Sequence, residues 1–131
     1  MGELIRLKCE KCGTAFGLGI GHGMTDHDLD AVLSYFDPAS ADQIKSGISR
    51  MSAGDRWSYR KMIGYCDTCR SYFEIPTFHI INSENEQIVA AKCRCGNDCV
   101  LFDDDDKEQM AGIKCPECHG NMTVESAGNW D

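Results

Sequence analysis

Residues 92–99 read Lys-Cys-Arg-Cys-Gly-Asn-Asp-Cys, and residues 114–119 read Lys-Cys-Pro-Glu-Cys-His. Two similar pairs lie upstream, in Cys9-Glu10-Lys11-Cys12-Gly13 and in Cys66-Asp67-Thr68-Cys69-Arg70. Together these stretches hold all nine cysteines of a 131-residue chain. A C-x-x-C turn aims two sulfurs at one edge of a tetrahedron, and a second pair closes the opposite edge. One such pair would be weak evidence, because redox motifs share the spacing. Four paired groups in one chain point to two four-cysteine metal sites holding structural Zn²⁺. An odd cysteine count and an N-terminus without a long apolar stretch argue against a secreted disulfide framework. Thioredoxin-like redox chemistry and rubredoxin-like iron are the competing readings.

Order along the chain suggests the pairing. Cys9, Cys12, Cys66 and Cys69 would form one site, and Cys115 and Cys118 would share the other with two of Cys93, Cys95 and Cys99. The Cys95-Gly96 step makes Cys95 the surest of the three, since glycine reaches positive φ cheaply. Cys93 is favoured over Cys99, which stays an alternative. The cysteine left over reads as a small buried thiol.

Short β-prone segments enter and leave the knuckles: 3–8, 61–65, 71–75, 87–92, 100–102, 109–114 and 121–124. The fold expected is small, metal-bound and mostly β, with tandem zinc ribbons. Ribbon one would span residues 1–81 and ribbon two residues 82–131, with 82–86 as linker. A two-helix insertion, at about 17–55, would interrupt the first ribbon. Leu29, Val32, Leu33 and Phe36 fall on one helical face, with Thr25 as N-cap and Asp28 at the capping-box position. Asp37-Pro38 starts a second helix with Ala41, Ile44, Ile48 and Met51 on its apolar face.

Formal net charge is −8. Two zinc ions, each held by four thiolates, would bring it to about −12 by simple addition of charges. Residues 1–81 carry a net −1 and residues 82–131 a net −7. That balance opposes nonspecific nucleic-acid binding. One strip runs the other way: Arg56, Trp57, Tyr59, Arg60, Lys61 and Arg70 interleave cations with aromatics, the make-up of a nucleic-acid platform or of an ordinary solvated strand.

The glycine-rich stretch 17–23 lacks a following P-loop Lys-Ser/Thr and reads as a connector. His22 and His27 could bind a surface metal. His79 reads as structural, and His119 as a tuning group beside Cys118. Asp103–Lys107 reads as a solvated loop without the spaced ligands of a calcium loop. No catalytic constellation is visible, and a site with four cysteines has no open coordination position. No run approaches the length of a membrane span.

In layout the chain resembles small bacterial double zinc-ribbon proteins. The residues that carry the likeness are LKCEKCGTAFGLGIGHGM, GYCDTCRSYFEI and IKCPECHG. The resemblance implies a cytoplasmic double zinc ribbon and brings no established activity. The function expected is a non-enzymatic zinc-binding module or adaptor for another protein. A nucleic-acid-associated or transcription-linked factor and a thiol-redox or metal-handling protein are the alternatives.

Overall fold

Seven strands form two antiparallel sheets, and each sheet is built around a strand that ends in cysteine. The computed structural model describes residues 2–130, with the side chains of Met24 and Thr25 outside the description. The protein is small and mostly β.

In the first sheet, β1 (Gly2–Cys9) lies between β2 (Ala15–Ile20) and β7 (Met122–Trp130). In the second, β3 (Arg56–Cys66) lies between β4 (Ser71–Ile81) and β6 (Val100–Phe102), and β5 (Glu86–Ala90) extends the β4 side. The two middle strands are treated alike. Each forms a hairpin with the strand after its cysteine knuckle and receives a late strand on its other edge. The registers are Cys9 opposite Met122 and Tyr65 opposite Val100.

Between the sheets in sequence run a 3-10 turn (Met24–His27), α1 (Leu29–Leu33) and α2 (Pro38–Ser49). The structure gives the N-cap of α1 to Asp28, whose carboxylate accepts from the Asp30 N–H. The Thr25 cap expected from sequence lies outside the described side chains. Asp37 caps α2 as expected, accepting the Ser40 N–H at 3.1 Å. Its other oxygen accepts from the Ser40 hydroxyl and from the Lys92 N–H, which ties the helix start to the residue before Cys93. Burial alone would raise the Asp37 carboxyl, but these hydrogen bonds outweigh it and hold it below the usual range. A Cβ on Gly47 would collide with Ile80, so glycine lets α2 settle directly onto the sheet.

Two apolar clusters result. Ile5, Leu7, Leu18 and Ile20 of the first sheet meet Ile63 and Tyr72 of the second, so the sheets share a core. Val32, Phe36 and Ile44 cover Tyr59, Ile75, Phe78, Ile80 and Val89 on the second sheet. A backbone bridge between Gly21 and Lys61 fastens the end of β2 to β3.

Three expectations change. The helical segment begins only after β2, because Gly17 and Gly19 sit inside that strand. The stretch 109–114, expected as a strand, contains the end of α3 (Lys107–Ala111). Asp106 caps that helix through the Glu108 and Gln109 N–H groups, local chemistry that overrides a short apolar pattern. The division expected at 81/82 falls at the turn joining β4 to β5, where Asn82 accepts from the Glu84 and Asn85 N–H groups. Strands from both sides of that turn share each sheet.

Candidate metal centres

All four knuckles close in the same way. The residue after the second cysteine has positive φ and donates its N–H to the carbonyl of the first. Gly13 donates to Cys9 at 3.0 Å, Arg70 to Cys66 at 2.8 Å, Gly96 to Cys93 at 2.8 Å and His119 to Cys115 at 2.9 Å. Their φ angles are 80°, 52°, 88° and 62°. Arg70 and His119 are the two non-glycine residues in that region among the described residues. Side chains adopt the left-handed region reluctantly, so only a strong local demand explains them. The demand is the turn that points two sulfurs the same way.

The closing hydrogen bond also explains the short third knuckle. Cys93 and Cys95 enclose one residue rather than two, and Gly96 still reaches back to Cys93. In every knuckle the first cysteine is buried: Cys9, Cys66, Cys93 and Cys115. Cys12, Cys69 and Cys95 face outward and Cys118 is half-buried.

The sulfurs gather into two groups of four, Cys9/Cys12/Cys115/Cys118 and Cys66/Cys69/Cys93/Cys95. Within each group all four lie within 4.8 Å of one another. Sulfurs of different knuckles stand 3.4 Å apart for Cys9–Cys118 and 3.5 Å for Cys12–Cys115. In the second group the separations are 3.5 Å for Cys66–Cys95 and 3.6 Å for Cys69–Cys93. A disulfide would bring sulfurs to about 2.05 Å. A tetrahedral ion with metal–sulfur bonds of about 2.3 Å sets its sulfurs about 3.8 Å apart. The four-thiol donor set and the spacing thus fit a metal ion at each group.

This pairing corrects the one inferred from sequence order. The knuckle at Cys9 is completed by Cys115 and Cys118, and the knuckle at Cys66 by Cys93 and Cys95. Strand register is the reason. β7 runs beside β1 and brings the last knuckle to Cys9, while β6 runs beside β3 and brings the third knuckle to Cys66. One centre is therefore nested inside the other along the chain. Helices α1 and α2 join the first half of the outer centre to the first half of the inner one.

Backbone donors prepare the sulfurs for ionisation. The Asn97 N–H, aided by the Cys66 thiol, brings Cys95 down to about 7. The Cys12 N–H lowers Cys9 against the effect of burial. Cys69 is pushed up to about 12, because Cys93 and Cys95 crowd it. Four adjacent thiols cannot all ionise without a cation among them, and a bound metal supplies it. Cys99 stands apart, half-buried against the helix-side core, and burial pushes it up to about 12.

The two centres are joined directly. The Arg70 guanidinium donates to the Pro116 carbonyl at 2.9 Å, from one knuckle to another. The Tyr72 hydroxyl donates to the Lys114 carbonyl at 2.7 Å, one residue before Cys115.

The basic and aromatic strip is largely occupied within the chain. Arg60 lies among Asp103, Asp104 and Asp105, at 3.5 to 3.9 Å. Lys61 pairs with Glu74 and sits 4.6 Å over the Trp130 ring. Trp57 stacks on Phe78, and Tyr59 is buried. Arg56 and Arg70 are the cations of this strip left exposed without an ion pair among the described residues, and Arg70 spends its guanidinium on the Pro116 carbonyl. The run 103–106 is partly bound rather than purely solvated, a role that sequence could not signal because Arg60 lies over forty residues away. His79 is buried between Thr77 and Glu86, and the sulfur group that includes Cys118 is complete without His119.

No protein-family model matches the chain, and neither a curated protein nor a solved structure matches it. No helix is long and apolar enough to cross a membrane.

Proposed function

We propose that the chain is a two-zinc scaffold that binds another protein and performs no catalysis. The observation that carries this reading is the closure of both sulfur groups. Each offers four thiols from two knuckles, leaving an ion no open position for water or substrate. Each centre has the layout of a zinc ribbon, with one knuckle in a hairpin and the other beside its leading strand. Zinc is the ion that best suits a tetrahedral all-thiolate set in a structural role, and iron is the alternative for the same ligands. Each zinc would contribute on the order of 10 kcal/mol to folding.

The charge balance supports a basic protein as the partner. With a net charge of −8 before metal binding, and with Arg60 and Lys61 of the basic strip paired to acids of the same chain, the molecule suits a basic protein surface better than a phosphate backbone. Two measurements test the proposal. Metal analysis gives two zinc ions per chain in a colourless solution, and chelation unfolds the protein. A partner isolated by affinity capture, once purified, rebinds the zinc-loaded chain and loses affinity as salt rises. Coloured iron-bound protein, an unchanged fold after chelation, or a gel shift with nucleic acid at moderate salt instead of a protein complex would overturn it.

A further inference from the structure

Away from both sulfur groups, the 3-10 turn carries Asp26 and His27 over strand β3, with His22 two residues before it. The two imidazole rings stand with centroids 5.4 Å apart and planes at 73°. With metal–nitrogen bonds of about 2.0–2.1 Å, two imidazoles on one tetrahedral ion have centroids about 5.2 Å apart. Bare rings also meet edge to face at such distances, so ring geometry alone does not decide.

Two neighbours do. Asp26 is only 5% exposed and makes no ion pair among the described residues. Its carboxylate accepts the Gly23 N–H at 2.6 Å and the Tyr35 hydroxyl at 3.0 Å, both neutral donors. Buried charges are ordinarily paired or coordinate metals. Tyr59, 4% exposed, holds the one buried side-chain polar atom without a hydrogen-bond partner among the described residues. Asp26, Tyr59 and both histidines line one cavity of about 300 Å³, with Trp57 and Ser58. A carboxylate without a cationic partner, an unsatisfied hydroxyl and two facing imidazoles thus line the same space.

We propose that His22 and His27 form a third, exchangeable site for a late first-row divalent cation. Asp26 supplies counter-charge from the wall of the cavity, since its oxygens do not lie close enough to both rings to ligate with them. Water or a small anion completes the coordination, and the Tyr59 hydroxyl donates to that ligand. Imidazole donors suit nickel, copper and zinc, and two protein ligands make the ion labile.

The test titrates Ni²⁺ into the zinc-loaded protein by calorimetry, with zinc content measured before and after. Wild-type binds one further Ni²⁺ while keeping both original ions, and paramagnetic broadening appears first at the His22 and His27 rings. His22→Ala and His27→Ala each weaken binding by about tenfold or more, and the double variant loses it. Asp26→Asn, which preserves the shape of the carboxylate, weakens binding by about tenfold while zinc content stays unchanged. Absence of a further ion in the folded wild-type, or equal Ni²⁺ binding by the folded double variant, overturns the proposal.

Discussion

The Tyr72 hydroxyl holds both backbone groups of Lys114, donating to its carbonyl at 2.7 Å and accepting from its N–H at 3.1 Å. Tyr72 belongs to the hairpin of one metal centre, and Lys114 leads into the last knuckle of the other. Tyr72→Phe keeps the ring against Phe16 and Tyr65 but strands two backbone groups. It is expected to cost about 1–3 kcal/mol in denaturant unfolding. It should also speed loss of metal from the Cys9 centre more than from the Cys66 centre, as followed by a chromogenic chelator.

Paired serine substitutions test which sulfurs belong together. Cys12→Ser with Cys118→Ser removes two ligands from one centre and should leave one metal per chain. Cys69→Ser with Cys95→Ser should do the same for the other. Cys12→Ser with Cys69→Ser damages both centres and should lower retention of both ions. Metal counting by native mass spectrometry separates these outcomes. If the last variant kept one ion intact, the nested pairing would be wrong.

Two side chains occupy the left-handed turn at some cost. His119→Gly relieves that cost and should stabilise the loaded protein by up to about 1 kcal/mol. Gly96→Val places a branched residue at φ 88° and should destabilise by more than about 1 kcal/mol, weakening the Cys66 centre first. Thermal melts with metal analysis check both.

Burial lowers the His79 imidazole below its ordinary value, with Glu86 offsetting part of the effect. Protonation is therefore harder in the folded chain than in the unfolded one. Stability from this residue is fully present above the unfolded value of about 6.5 and is lost as pH falls through the folded value. Thiolate protonation weakens metal binding over the same range, so the readout is a difference. The gap between wild-type and His79→Gln should shift against wild-type as pH drops from about 7.5 to about 5.5. A pH-independent gap would remove His79 from the account.

Cys99 is expected to react slowly with alkylating agents near neutral pH, because its thiol is held protonated at about 12. Cys99→Ala should leave metal content unchanged. Rapid labelling of one thiol in the fully loaded protein, lost in Cys99→Ala, would contradict this.

Much of the site is legible in the chain because knuckle chemistry is local. Cysteine spacing, Gly13 and Gly96 mark turns that close over a few residues. The Asp37-Pro38 start of α2 is equally local. The partnership of the knuckles is not legible, because it depends on β7 lying beside β1, a pairing between residues more than a hundred positions apart. The two left-handed side chains are hidden for a different reason. Nothing in Arg70 or His119 advertises positive φ, and the turn imposes it. Arg60 reads from sequence as part of a nucleic-acid platform or of an ordinary solvated strand, because its acidic neighbours arrive from a loop after β6.

Nesting has a consequence for the order of assembly. Cys66 and Cys95 are 29 positions apart, whereas Cys9 and Cys118 are separated by 109. Closing the longer loop in a disordered chain costs about 1 kcal/mol more by chain statistics. A polypeptide emerging from the ribosome can finish the inner clasp while the outer one still lacks its far half. The first hairpin must then wait, its two thiols unmatched and open to oxidation, until the final strand is synthesised and fits alongside it.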